Sequence, residues 1–431
     1  MKILIKNTNV ITDKFDLTNS YFVSVTGKSI DYIGKTKPCG EFDRVIDGKD
    51  KVVMPGLYNT HTHAAMTLFR GYAEDLVLDR WLNEAIFPAE DLLTDESVYV
   101  ASKLAAAEQI KNGVVSCSDM YFFCENTVRA FGECSLKANI SRSVVSFDKD
   151  IDLHKDSRFI EAKNLFENYN GAYDGKIKID MALHAEYTNV EKACRTLAEY
   201  SKDKGAIIQV HLSETEKEHK ECIERHGKTP ARFFLDTGVF DSPTVAAHCV
   251  YVGGDDMEIM KEKKVSVAHN PVSNLKLGSG VMPLYKMYKN GINITLGTDG
   301  TASNNTLDIL KEMYFASMLV KGINRQPDLI EASEFIKFAT ENGAKAQGRE
   351  KCGRLEVGAN ADLIMISLDD INNIPQYNLV NTVLYSANSS NVKLTMIDGD
   401  ILYENGEFTH IDIEKLKADM KYVCKHYFDK K

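Results

Sequence analysis

Eight short apolar runs recur through the middle of this 431-residue chain, and segments with helical periodicity, such as 97–112 and 190–203, separate most of them. The runs are 52–57, 114–119, 143–146, 177–183, 206–210, 244–247, 265–268 and 292–296. Alternating strands and helices indicate parallel β-α-β units, and eight such units predict an α/β fold of the TIM-like (β/α)8 barrel type. An open doubly wound sheet is the alternative, but no G-x-G-x-x-G motif opens a helix to support it.

The two ends of the chain have a different pattern. Short strand-like runs bounded by Gly, Asn and Asp occupy 2–5, 21–25 and 29–34 at one end and 361–366, 394–399 and 401–406 at the other. Chain termini often lie close together, so the two ends can share one sheet. We therefore expect a small accessory β-sandwich domain from residues 1–54 and 355–431, and a catalytic barrel from residues 55–354.

Composition excludes several classes of protein. A net charge of −10 argues against general nucleic-acid binding, and no apolar stretch approaches the roughly 20 residues of a membrane span. The N-terminal segment is too polar for a signal peptide. Nine scattered cysteines without a C-x-x-C pair are typical of reduced thiols. We expect a cytoplasmic protein that contacts neither membrane nor nucleic acid.

Polar side chains follow six of the eight runs, at the end where barrel enzymes carry their chemistry. Six of the eleven histidines are placed this way, together with one aspartate: His61, His63, His184, His211, His248, His269 and Asp299. Chance placement of so many is improbable. The other five histidines are expected at the surface or in loops: His154, His219, His226, His410 and His426.

The pair His61-Thr62-His63 predicts a metal site. Side chains at i and i+2 of a strand point to the same face, and neutral imidazole is a common ligand of catalytic metals. A catalytic zinc needs three or four protein ligands and an open position for water, and His211 and Asp299 complete such a set. We expect one divalent metal per subunit, with Zn²⁺ the first choice and Fe²⁺ or Mn²⁺ as alternatives. A bound metal lowers the pKa of its water toward about 7.

Three residues are candidates for catalysis. Asp299 can accept a proton from the attacking water. Glu214 follows His211 by three positions and can protonate a ring nitrogen of a heterocycle, although a solvated Glu at the start of a charged helix is an equal alternative. His248 can stabilise the attacking hydroxide, with a buried structural histidine as its alternative. The loops 269–278 and 297–305 offer further polar groups beside strand ends.

These residues resemble the amidohydrolase superfamily of metal-dependent hydrolases and deaminases. The similarity spans nearly the whole chain and lies in segments 55–63, 211–214, 247–249, 269–271, 296–300 and 353–363. Within the superfamily the chain is most similar to 5-methylthioadenosine/S-adenosylhomocysteine deaminases, through segments 66–76, 81–82, 87–90 and 273–278.

The resemblance implies a role for each site residue. It implies metal binding by His61, His63, His211 and Asp299, and proton handling by Glu214 and His248. Substrate contacts are implied for Glu90, Arg142 and His184, besides Glu214 and Asp299. A homo-oligomer that acts on a small-molecule nucleoside is the implied assembly.

The implied activity is hydrolytic deamination of an adenosine-type nucleoside: 5-methylthioadenosine, S-adenosylhomocysteine, adenosine or 5′-deoxyadenosine. Action on another ring, as in guanine deaminases or triazine and chlorotriazine hydrolases, is the alternative. The chain departs from the family by having Glu186 where Pro is usual. It also lacks a second arginine about a dozen residues after Arg142, with Arg158 nearby, which disfavours the carboxylate-bearing S-adenosylhomocysteine.

Two other readings are weaker. His184-Ala185-Glu186 matches the H-x-E half of the cytidine-deaminase zinc signature, but the P-C-x-x-C half is absent. A metal-free barrel acting as a scaffold would need a broken ligand set, whereas every expected ligand is present.

Overall fold

The computed structural model describes residues 1–12 and 20–427. Five strands come from the N-terminal end: β1 (Lys2–Val10), β2 (Tyr21–Thr26), β3 (Ser29–Gly34), β4 (Arg44–Asp47) and β5 (Lys51–Pro55). Eight follow in the middle: β6 (Leu57–Thr62), β7 (Val114–Tyr121), β8 (Lys137–Val144), β9 (Ile177–Leu183), β10 (Ile208–Leu212), β11 (Thr244–His248), β12 (Ser266–His269) and β13 (Asn293–Leu296). The C-terminal strands are β14 (Leu363–Ser367), β15 (Val392–Ile397), β16 (Asp400–Glu404) and β17 (Glu407–Phe408).

Strands β6 to β13 pair in parallel and in chain order, which confirms the predicted barrel. Its two edges meet through hydrogen bonds. The Thr60 hydroxyl donates to the Leu296 carbonyl at 2.9 Å, and the Asp299 backbone N–H donates to the His61 carbonyl at 3.0 Å. The second of these bonds joins two of the three segments that carry predicted metal ligands.

Helices cover the barrel, and local signals set their ends. The helices are α1 (Leu78–Arg80), α2 (Phe87–Glu90), α3 (Asp95–Lys111), α4 (Cys124–Glu133), α5 (Ser157–Tyr169), α6 (Glu191–Lys204), α7 (Glu216–His226), α8 (Pro230–Asp236), α9 (Gly254–Glu262), α10 (Pro271–Lys276), α11 (Leu284–Lys289), α12 (Thr301–Asn304), α13 (Ile309–Asn324), α14 (Ala332–Ala339), α15 (Glu341–Ala346), α16 (Leu379–Tyr385) and α17 (Ile413–Tyr427). The Thr94 side chain caps α3, and the left-handed Gly205 ends α6. The helices predicted at 97–112 and 190–203 are thus α3 and α6.

Two predicted barrel strands are placed differently in the structure. The run 52–57 is not one barrel strand, because it divides at Gly56: β5 joins the accessory sheet, and the barrel strand β6 begins at Leu57. A Cβ on Gly56 would lie 2.2 Å from the side chain of Val115, so this close crossing requires glycine. The third strand spans 137–144 rather than 143–146, which places Arg142 within it.

The accessory strands form one nine-stranded sheet that joins both chain ends. Strand β1 connects its halves, since residues 2–8 pair with β2 or β4 and residues 9–10 pair with β5. The halves share one apolar core that includes Ile3, Val25, Val53, Met365 and Leu394. The predicted β-sandwich from both chain ends is therefore built from a continuous sheet, and the domain boundaries at 54/55 and 354/355 stay a prediction.

A buried ionic cluster connects the C-terminal segment with the N-terminal end of the barrel. Lys137, the first residue of β8, donates to both carboxylate oxygens of Asp362 at 2.8 and 2.6 Å and to Asp398 at 2.6 Å. Helix α17 packs against α3 on the outside of the barrel. All nine cysteines lie in the described part of the chain and are unpaired. Among the described helices, none combines the length and the apolar character that a membrane crossing requires.

Candidate active site

A cavity of about 540 Å³ opens at the C-terminal end of the barrel. It is bounded by eight of the nine predicted site residues: His63, Glu90, Arg142, His184, His211, Glu214, His248 and Asp299. The ninth, His61, is 2% exposed and within 3.5 Å of Asp299. The structure thus brings every predicted site residue to one place. His269 is buried at the end of β12 outside the cavity wall, and the five histidines expected at the surface are exposed or half-exposed.

The four predicted metal ligands converge on a small volume. The Nε2 atoms of His61 and His63 lie 3.5 and 3.2 Å from Oδ1 of Asp299. The Nε2 of His211 is 3.4 Å from that of His63. His61, His63 and His211 each direct a ligand atom to within 4.8 Å of the others, as do His61, His248 and Asp299. Three imidazoles and a carboxylate, all within reach of one point, suit a catalytic zinc or a similar divalent cation.

Backbone carbonyls orient two of these imidazoles. The Nδ1 of His63 lies 2.6 Å from the Met120 carbonyl, and the Nδ1 of His211 lies 2.6 Å from the His184 carbonyl. A carbonyl can only accept, so each Nδ1 carries a proton, and each Nε2 is the nitrogen that faces the cluster and is placed to bind a metal. The Nε2 of His61 is buried without a hydrogen-bond partner among the described residues. An orphaned nitrogen that faces a carboxylate and two further imidazoles fits a metal ligand.

Burial acts on the protonation of the cluster. It lowers the pKa of His61 to about 4 and that of His211 well below its usual value, which favours the neutral imidazoles that metal binding needs. Burial also lowers the pKa of His63, but the hydrogen bond to Asp299 outweighs it and raises that pKa to about 9. For Asp299, burial raises the pKa, yet the adjacent imidazoles of His61 and His63 bring it well below the ordinary value.

Asp299 adopts a constrained conformation. Its φ of 62° lies in the left-handed region, which is unfavourable for a residue other than glycine. Its Oδ2 accepts from the hydroxyls of Ser273 and Ser303 at 2.6 and 3.0 Å, and its Oδ1 accepts from the Gly300 backbone N–H at 2.8 Å. The loops predicted beside these strand ends therefore hold Asp299 through the short helices α10 and α12.

Glu214 and His248 face each other beside the metal ligands. Glu214 is 6% exposed, so the solvated alternative does not describe it, and burial raises the pKa of its carboxyl. Its Oε2 is 3.7 Å from Nε2 of His248, whose Nδ1 lies 2.8 Å from Oδ1 of Asn274. Burial favours the protonated form of this acid, which is the form that can deliver a proton to a bound ring nitrogen.

The residues predicted to contact substrate stand around the cavity wall. Glu90 accepts from the Tyr121 hydroxyl at 2.7 Å, and burial raises its pKa to about 7. Arg142 donates from Nε to Glu161 at 2.6 Å and from a terminal nitrogen to the Ser143 carbonyl at 2.7 Å. The His184 ring packs at 4.9 Å from that of His211. The remaining wall is largely apolar, with Leu78, Trp81, Leu82, Phe87, Phe122 and Phe147.

Sequence reasoning missed Glu218. Its place at the start of a charged helix predicts a solvated side chain. In the structure Glu218 is buried, and its two carboxylate oxygens accept from the backbone N–H groups of Ser213 and Glu214 at 2.8 and 2.7 Å. Thr215 caps the same helix by accepting from the Glu218 backbone N–H. The Thr-x-x-Glu spacing of a capping box was the signal that could have indicated a bound rather than a solvated side chain.

Two further expectations are revised by geometry. Arg158, which does not match the spacing of the family's second arginine, lines the cavity from α5 together with Glu161. Glu186 is 1% exposed and pairs with Arg225 at 2.7 Å and with His226 at 2.9 Å. It is thus engaged with α7, and the H-x-E reading has no structural counterpart at the metal cluster.

The comparisons with known proteins agree with this geometry. The model of the amidohydrolase family matches residues 52–402. The chain belongs to the amidohydrolase family. This amidohydrolase is 42% identical over 431 residues, 99% of each chain, to a 5-methylthioadenosine/S-adenosylhomocysteine deaminase of Acetivibrio thermocellus. It is 41% identical over 421 residues, 96% of this chain and 95% of the relative, to a 5′-deoxyadenosine deaminase of Methanosarcina acetivorans.

Among solved structures, the amidohydrolase resembles an adenosine deaminase from Xanthomonas campestris with bound zinc. The TM-score is 0.93 at 27% identity, covering 99% of this chain and 98% of the other. The family resemblance that the sequence motifs indicate is thereby confirmed.

Proposed function

We propose that this amidohydrolase is a metal-dependent hydrolytic deaminase of adenosine-type nucleosides, which forms the inosine analogue and ammonia. The observation that carries the proposal is the buried acid Glu214, placed between a nucleoside-sized cavity and three imidazoles with a carboxylate. A volume of about 540 Å³ lies within the range of small-molecule sites. The names of the two relatives above, a 5-methylthioadenosine/S-adenosylhomocysteine deaminase and a 5′-deoxyadenosine deaminase, support the same activity.

We infer that His61, His63, His211 and Asp299 hold one divalent cation. Zinc is the first choice, since imidazole and carboxylate ligands suit it, and the Xanthomonas campestris structure contains it; Fe²⁺ and Mn²⁺ suit the same ligands. A cation bound there supplies Lewis-acid activation of a water molecule.

The side chains would move protons as follows. Asp299 accepts a proton from the attacking water, and Glu214 donates one to the ring nitrogen next to the amino-bearing carbon. His248, which lies beside both Glu214 and the metal ligands, stabilises the attacking group. Water replaces the amino group at that carbon, and the amino group leaves as ammonia with the proton that Asp299 took from the water. The proton of the added hydroxyl returns to Glu214 as the carbonyl forms. The atoms of water and the aminopurine thus equal those of the oxopurine and ammonia.

The other end of the nucleoside would meet the cavity mouth. The deep end holds the proton-handling groups, so the ribose and its 5′ substituent point outward, past His184 and toward Glu90 and Arg142. Both Arg142 and Arg158 line the cavity, and the side chain of Arg158 is about half exposed. Arg158 can therefore supply the cation for a substrate carboxylate, which keeps S-adenosylhomocysteine among the candidates beside 5-methylthioadenosine, adenosine and 5′-deoxyadenosine.

A panel assay tests the proposal. Purified protein with measured metal content is incubated with the four adenosine derivatives, guanine and amino- and chlorotriazines, and ammonia or chloride is quantified. We expect ammonia from at least one adenosine derivative, about one metal per subunit, and loss of turnover after chelation that Zn²⁺ restores. Activity with guanine or a triazine alone would establish the alternative, and silence with every aminopurine would exclude the deaminase.

The remaining expectations concern the molecule as a whole. We propose a homo-oligomer in the cytoplasm, in which residues 1–54 and 355–431 form the accessory domain and residues 55–354 the catalytic barrel. The negative net charge supports a small-molecule substrate rather than nucleic acid. Light scattering at micromolar concentration measures the assembly, and a mass of 48.3 kDa would identify a monomer instead.

A further inference from the structure

Glu312 is a buried acid outside the cavity wall. It lies in the first turn of α13, is 0% exposed, and takes part in none of the ion pairs found among residues 1–12 and 20–427. Burial raises the pKa of its carboxyl group, and the hydrogen bonds from Asn304 and Val272 act against that rise. Burying a carboxyl group without a cationic partner costs free energy of folding. Packing alone therefore does not explain why this position holds a hydrogen-bonded Glu.

Those two bonds reach separate segments of the site. The Oε2 of Glu312 accepts from the Val272 backbone N–H at 3.1 Å, in the first turn of α10. Its Oε1 accepts from the Asn304 side-chain amide at 2.6 Å, at the last residue of α12. One carboxyl group therefore connects the loops that follow β12 and β13.

The same two segments hold Asp299. Ser273 of α10 and Ser303 of α12 both donate to Oδ2 of Asp299, while Oδ1 faces His61 and His63. The amide of Asn304 also donates to the Thr298 carbonyl at 2.7 Å, one residue before Asp299. Asp299 has a positive φ, and such a conformation persists where the surroundings hold it from several sides.

We propose that Glu312 is a positioning residue that aims the Asp299 carboxylate at the metal by clamping α10 to α12. The inference rests on the proposed role of Asp299 as a ligand. Removing a group that orients a metal ligand typically lowers metal affinity or activity about 10- to 100-fold.

The test is Glu312→Gln, which keeps the shape but leaves one acceptor oxygen for two donors. Zinc affinity, measured by competition with a chromophoric chelator, should fall about 10- to 100-fold. Glu331→Gln, the same substitution at an exposed position, should leave it unchanged. Wild-type affinity in folded Glu312→Gln would overturn the proposal. The readout needs no substrate, so a protein that binds zinc but deaminates nothing would refute the proposed function and leave the clamp standing.

A double-mutant cycle separates positioning from general stability. In a Ser273→Ala/Ser303→Ala background the two hydroxyl bonds to Asp299 are already lost, so Glu312→Gln should cost less zinc affinity than it costs the wild-type protein. An equal loss in both backgrounds would refute the clamp. Should Glu312→Gln not fold, Asn304→Ser removes the amide that joins Glu312 to the Thr298 carbonyl and is expected to weaken zinc binding. Unchanged affinity in that variant would contradict the proposal equally.

Discussion

The two ends of the barrel both bury ionisable side chains, but they differ in how these are partnered. At the N-terminal end, Lys137 meets three carboxylate oxygens of Asp362 and Asp398, and their charge outweighs burial and raises its pKa. At the C-terminal end, three imidazoles and Asp299 converge, and the Nε2 of His61 is left without a hydrogen bond within the described chain.

The difference separates a structural cluster from a binding cluster. Opposite charges paired inside a protein compensate each other and hold segments together. A buried nitrogen without a hydrogen bond instead indicates that a further group binds there. The Lys137 cluster ties the C-terminal segment to strand β8, and the imidazole cluster forms the base of a cavity. Substitutions at the two ends should therefore affect different measurements.

The largest effect is expected from Asp299→Asn at the C-terminal end. The amide fills a similar volume but cannot accept a proton from water, so kcat should fall at least about 10⁴-fold, equivalent to about 5.5 kcal/mol. Circular dichroism and a thermal scan should show a folded protein, and metal content is measured in parallel. Asp328→Asn, on an exposed turn, is the control. Near-normal turnover in Asp299→Asn would refute the role given to this residue.

Lys137→Met tests the other end. Removing the ammonium leaves Asp362 and Asp398 buried without a cation, which should destabilise the protein by about 3–5 kcal/mol in urea unfolding. The kcat of the folded fraction should stay within about twofold, because the cluster lies at the opposite end of the barrel from the cavity.

Lys28→Met provides the matched control for that variant. Its exposed ion pair with Asp174 also links the accessory sheet to the barrel, yet its loss should leave the unfolding midpoint unchanged. A large loss of turnover at full stability in Lys137→Met would mean that the two ends are coupled rather than separate.

Sequence patterns were sufficient for much of this fold and for the composition of the site. Eight apolar runs between helices predict the barrel, and polar residues at strand ends predict the cluster, because parallel strands deliver their C-terminal ends to one rim. The run 52–57 was misplaced, since an apolar run does not reveal which of two sheets it joins. The division of this run between the two sheets becomes visible only in the structure, where β5 pairs with β14 and Gly56 approaches Val115 closely.

The groups that support the site were harder to predict. Glu312 and Ser273 lie 13 and 26 residues from Asp299, and nothing local distinguishes them from other Glu and Ser residues; tertiary packing brings them together. Arg158 shows the same difficulty, because its contribution to the cavity depends on the path of the chain after β8. The spacing after Arg142 predicts that the family's second arginine is missing, whereas the structure places Arg158 in the wall of the cavity.

Glu218→Gln tests the comparison between the two ends of the barrel. Glu218 lies at the C-terminal end, yet both of its carboxylate oxygens accept hydrogen bonds, as in the structural cluster. Gln offers one acceptor for the two backbone N–H groups of Ser213 and Glu214, so the turn that presents Glu214 should loosen. We expect kcat/KM to fall about 10- to 100-fold, or about 1.4–2.7 kcal/mol, with metal content unchanged. Glu216→Gln, exposed on the same helix, should retain activity. Loss of stability alone, at normal kcat/KM, would place Glu218 with the structural cluster.

The smallest effect is expected where the chain's C-terminal helix reaches the binding end. The Tyr427 hydroxyl of α17 donates to the Ala89 carbonyl at 2.8 Å, next to the proposed substrate contact Glu90. Tyr427→Phe removes this one bond and keeps the ring, which should cost about 0.5–1.5 kcal/mol and raise KM roughly 2- to 12-fold at constant kcat. Tyr422→Phe, with a side chain 60% exposed on the same helix, should change neither constant. An unchanged KM in Tyr427→Phe would confine the C-terminal helix to a structural role, whereas the expected rise would show that an element packed outside the barrel also shapes its substrate site.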